Sequence, residues 1–170
     1  MAVASGISLI VFLVVGGPFG TINDLGNGTL AVLCGSLAFD LYSPGRTAAT
    51  TVAVAGAATS VFGSFLVISE TTGYFLAGLV SAFGFALIGL WLIHLSLSEE
   101  LPASRSAFAA GAVMALGIVN VPGILQGMDD QDTAPTWLLA AGVCWAGTYL
   151  LLPIWAGRFA RSGHAPAKPA

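Results

Sequence analysis

The sequence predicts an all-α fold, a polytopic membrane protein built as a bundle of six transmembrane helices with short loops. Three observations carry that expectation. Of the 170 residues, 56% are hydrophobic and 8% charged, and mean hydropathy is +0.91, which leaves too little polar surface for a water-soluble domain of this size. A hydrocarbon core about 30 Å thick is crossed by about 20 apolar helical residues. Five stretches without Asp, Glu, Lys or Arg are long enough, at 1–23, 47–69, 71–98, 106–128 and 133–157, and a sixth, 25–39, spans with Asp24 or Asp40 at its edge. Finally, the charges sort by side. With six spans, all five basic residues (Arg46, Arg105, Arg158, Arg161 and Lys168) share one face with both termini, while Asp24, Glu70, Asp129, Asp130 and Asp132 lie on the other. The positive-inside rule then places both termini in the cytoplasm, for a multi-pass protein of the plasma membrane.

The spans are expected at about 2–20, 24–43, 47–69, 74–97, 107–127 and 137–157, forming one domain over 1–157, followed by a basic, flexible tail over 158–170. The first reads as a span and not a cleaved signal peptide, because no basic segment precedes it and no small-residue cleavage pattern follows. Gly17 and Pro18 are expected to break it near its outer end, since proline lacks an amide hydrogen and clashes with the preceding turn. In the second span, a rotation of 100° per residue puts Asp24, Asn27, Gly28, Ala31, Cys34, Gly35 and Ala38 on one arc, the small and polar face that suits helix contact in lipid. The third span has small residues nearly all round, with Gly56, Ser60 and Ser64 at four-residue spacing, and is expected at the centre of the bundle. The fourth carries His94 on its lipid side. Pro122 is expected to break the fifth and Pro153 the cytoplasmic end of the sixth. The matching depths of Pro18 and Pro122 hint at an internal duplication of helical hairpins.

The strongest functional signal is a polar cluster at the outer ends of the broken first and fifth spans: Asn23, Asp24, Asn27, Asn120 and Gln126. Amides, a carboxylate and freed backbone carbonyls together form a ligand site for a cation or polar solute. The competing reading makes Asn23 and Asp24 caps of the second helix. Asp40 and His94, at similar depth, fall on leucine and phenylalanine faces and read as interfacial. Tyr42, Tyr74, Trp137 and Trp155 sit near span ends and read as interfacial belts.

No catalytic residue, metal site or cofactor is predicted. One intramembrane histidine is too few for a two-histidine haem, Cys34 and Cys144 lie far in depth from His94, and no buried histidine is placed to activate a serine. The partners expected are the lipid bilayer and either other membrane subunits or further copies of the chain, with no nucleic acid, since no basic stripe is present. The lack of buried charge through the middle of every span favours a non-catalytic accessory or structural subunit packing in a membrane complex. The alternative is a small-solute or ion transporter that uses the polar cluster.

Overall fold

A computed structural model describes residues 1–97 and 103–162. Among them are six helical segments and no strand: α1 (Ala2–Val15), α2 (Phe19–Asp40), α3 (Thr47–Ile68), α4 (Tyr74–Ser96), α5 (Ser104–Leu125) and α6 (Thr136–Ser162). The last three, together with α3 and its leading turn from Pro44, are long and apolar enough to cross a membrane. α1 is apolar but, at 14 residues, spans only about 21 Å. α2 has 22 residues, and its asparagines and aspartates lower its apolarity. The tail beyond residue 162 lies outside the described residues.

Small residues set the spacing between neighbours. Cβ atoms placed on Gly56 and Gly84 would each lie 2.5–2.6 Å from the other glycine's carbonyl oxygen, so the backbones of α3 and α4 are in direct contact. Ser60 and Ser81 reinforce this contact: the hydroxyl of Ser60 donates to the carbonyl of Ser81 at 3.0 Å. Gly89 and Gly111 bring α4 and α5 together in the same way. Contacting residue numbers run in opposite senses along each pair, 56 with 84 and 63 with 77 between α3 and α4, 93 with 111 and 82 with 117 between α4 and α5, so sequential neighbours run antiparallel. α6 returns to pack against α1, where Gly6 faces Tyr149.

The expectation that the third helix is central does not hold. α4 is the centre: 67% of its most apolar window is buried, against 39% for α3. The reason is volume. α4 carries Phe85, Ile88, Trp91 and Leu92, which fill the space between α3, α5 and α6, whereas the short side chains of α3 serve its close contacts with α2 and α4 and leave Phe62 and Phe65 facing outward. Trp155 is likewise not part of an interfacial belt. It is 1% exposed and packs edge-on against Trp91 at 6.4 Å. Tyr42 and Trp137 are half-exposed.

The first turn also differs from expectation. Gly16 and Gly17 adopt φ of +74° and +71°, a left-handed pair that glycine takes at little steric cost, and α1 ends at Val15. Pro18 and Gly17 therefore lie in the turn and do not break α1; Pro18 stands immediately before α2, which begins at Phe19 and not at 24. With Pro18 outside a helix and Pro122 inside one, the proline match between the first and third hairpins is lost. Before the other two prolines the helices continue with irregular geometry. α5 tightens to a 3-10 helix over Leu116–Asn120 just before Pro122, whose missing N–H cannot serve the carbonyl of Ile118. α6 widens into a π-helical turn over Gly147–Leu151 just before Pro153.

Candidate functional site

Because α2 starts at Phe19, Asn23, Asp24 and Asn27 lie inside the helix, and none of its first-turn groups is capped by a side chain. The capping role is therefore excluded for Asn23 and Asp24. Asn27 sits eight residues after Phe19, roughly 12 Å along the helix. Asn23, Asp24 and Asn27 thus lie about one to two turns inside the outer end of α2. All three side chains are buried, at 4%, 7% and 2% exposure.

Two residues not anticipated from sequence complete the arrangement. The hydroxyl of Ser5 on α1 lies 3.1 Å from Asn23 Oδ1 and 2.8 Å from Asn27 Oδ1. The hydroxyl of Tyr149 on α6 approaches the same two oxygens at 3.1 and 3.0 Å. Two hydroxyls and two amides so form a four-cornered network that ties α1, α2 and α6 together inside the bundle. In lipid such interhelical bonds hold helices in register. Tyr149 carried a readable signal, since a tyrosine deep in a span needs a partner for its hydroxyl. Ser5, in an apolar run, carried none.

The network accounts for Asn23 and Asn27 but satisfies Asp24 only in part, through a hydrogen bond with the Asn23 side chain. Asp24 Oδ2 is buried and has no hydrogen-bond partner. The four arginines of the described chain lie at the opposite end of the bundle, before α3, at the start of α5 and at the end of α6. A buried carboxyl group without a countercharge is costly.

Beside Asp24 is a polar cavity of about 30 Å³, also walled by Asn23, Asn27, Ser81 and Tyr149. It adjoins a larger chamber of about 230 Å³ between α1, α4 and α6; Leu9, Tyr74, Gly78 and Trp145 line both. Asn120, 2% exposed, lines the larger chamber, and its Oδ1 also has no partner. The 3-10 segment before Pro122 ends at Asn120, so the helix break places this amide on the chamber wall. Exposed Gln131, in the loop between α5 and α6, marks the chamber's turn-side end. The same loop is anchored by Asp129, whose carboxylate accepts from the backbone N–H groups of Gly73 and Leu76 and so caps α4.

The remaining sequence candidates lie elsewhere. Gln126 is exposed beyond the last turn of α5 and does not join the cluster, because the helix ends at Leu125. Asp40 and His94 are exposed on the outer surface. Cys34 and Cys144 are buried free thiols. Among the described residues no three His, Cys, Asp or Glu side chains gather as a metal site. Compared with known proteins, the chain matches no family model, no curated protein and no solved structure. Its chemistry is therefore argued from this geometry alone: a small pocket with Asp24, Asn23 and Asn27 in its wall, adjoining a mostly apolar, partly open chamber between α1, α4 and α6, an arrangement able to take a proton, a cation or a polar solute that donates hydrogen bonds.

Proposed function

We propose that the protein is a small-solute or ion transporter whose binding site is the chamber at Asp24. The observation that carries this reading is the buried Asp24 side chain, whose Oδ2 has no hydrogen-bond partner, beside a cavity. Against the accessory-subunit role stands the burial of Asp24, five residues beyond the start of α2. Two irregular helices adjoin the chamber, α5 at Asn120 and α6 around Tyr149, and both offer the local backbone variation that movement between inward- and outward-facing states requires. The positive-inside pattern supports a plasma-membrane protein with cytoplasmic termini, so the chamber faces outward in this conformation.

Proteoliposomes test the reading. Vesicles loaded with a pH-sensitive dye are challenged in turn with proton, sodium and methylammonium gradients. The expected result is protein-dependent dissipation of at least one gradient, reduced to the level of empty vesicles in Asp24→Asn. Equal leak from folded wild-type and Asp24→Asn protein would contradict transport and favour the accessory role.

A further inference from the structure

The chamber contains information about what it holds. Its two orphaned polar atoms, Asp24 Oδ2 and Asn120 Oδ1, are both acceptors. A ligand that satisfies them brings hydrogen-bond donors, and one that satisfies Asp24 brings positive charge as well. Tyr74 and Trp145 line both cavities. Aromatic faces attract cations and disfavour anions, and their strength grows where water is excluded. The two volumes then divide the ligand. About 30 Å³ beside Asp24 admits a group of a few water-sized atoms. The adjoining 230 Å³, walled by Leu9, Leu13, Leu79 and Leu138 as well as the aromatic rings, suits a short apolar chain.

From these features we infer that the site binds a small primary alkylammonium ion, its NH3⁺ group against Asp24 and its chain in the leucine- and aromatic-lined chamber. This rests on the reading of the Asp24 chamber as the transported solute's site. The ammonium donates to Asp24 Oδ2 from within the small cavity. Asn120 accepts from a second donor in the larger chamber, either on the ligand or on a water that accompanies it. A quaternary ammonium of the same chain length has no N–H to donate and a head too wide for the inner cavity, so it is rejected on both counts. A carboxylate meets Asp24 as a like charge.

Tryptophan fluorescence of the full chain in lipid nanodiscs tests this, because Trp145 is in the wall. n-Butylammonium chloride, n-butyltrimethylammonium chloride and sodium chloride are titrated at constant ionic strength. Saturable change with butylammonium is expected, weakened about tenfold or more in Asp24→Asn and lost as a signal in Trp145→Phe, with no saturable response to the trimethyl compound. If Asp24→Asn does not fold, Gly78→Leu takes its place, since it fills the space the ligand needs and leaves the Asp24 carboxyl group in the chain. No saturable response to butylammonium, an equal response to the trimethyl compound, or an undiminished response in the folded variant overturns the inference. The two readings fail separately. Proton or sodium flux that depends on Asp24, with no butylammonium binding, overturns the amine alone, whereas loss of every Asp24-dependent effect removes the transport reading with it.

Discussion

Gly78→Leu is expected to abolish Asp24-dependent flux in proteoliposomes while leaving the protein as stable as wild type, or more stable by about 1 kcal/mol. Gly78 is on α4, and a Cβ placed there meets nothing within 4 Å, because the position opens onto both cavities. A leucine side chain therefore enters space that a solute would occupy, and the helix gains a residue with better intrinsic propensity than glycine. Gly78→Ala, one methyl group, should have an intermediate effect on flux. Thermal unfolding in detergent, followed by circular dichroism, measures the stability side. Undiminished flux through Gly78→Leu would mean that the chamber is not on the solute's path.

Gly84→Leu, six residues further along the same helix, should do the opposite and cost about 3 kcal/mol or more, enough to lose the folded protein in a thermal assay. A Cβ on Gly84 would lie 2.5 Å from Ser60 N and 2.6 Å from Gly56 O, and would also collide with the Ser60 hydroxyl. Backbone atoms cannot swing aside as a side-chain end can, so α3 would have to move off α4 and the bond from Ser60 to the Ser81 carbonyl would go with it. Wild-type stability in Gly84→Leu would contradict the close α3–α4 crossing. The contrast between two glycines on one helix separates a glycine that keeps a cavity open from one that brings two backbones together.

The sequence carried the class of fold and the polar face of α2, because hydropathy and rotational position are local properties. Departures from α-helical geometry precede Pro122 and Pro153, where a missing amide hydrogen has a local consequence. The helix boundary at the first turn was not legible in the same way. Gly16, Gly17 and Pro18 permit either a kinked helix or a left-handed turn, and the choice moves Asp24 from a cap position to the helix interior. The centre of the bundle was misplaced because small residues mark close contact but do not say how many neighbours a helix has. Tyr149 reaches Asn27 across 122 positions of sequence, and Asp129 reaches Gly73 across 56, so neither link has a local signature. Gln126 was grouped with Asn120 by sequence proximity, but the end of α5 separates an exposed amide from a buried one.

The most direct test of the account is covalent modification of Asp24. An apolar carbodiimide, which partitions into lipid and reacts with carboxyl groups in low-polarity surroundings, is applied to the reconstituted protein, and peptide mass spectrometry reads the site. The account predicts an adduct at Asp24 and a loss of flux that follows the extent of labelling, with no such loss when Asp24→Asn is treated. An unmodified Asp24 in the folded protein, or flux that continues once Asp24 is fully modified, would contradict a solute site built on this carboxylate.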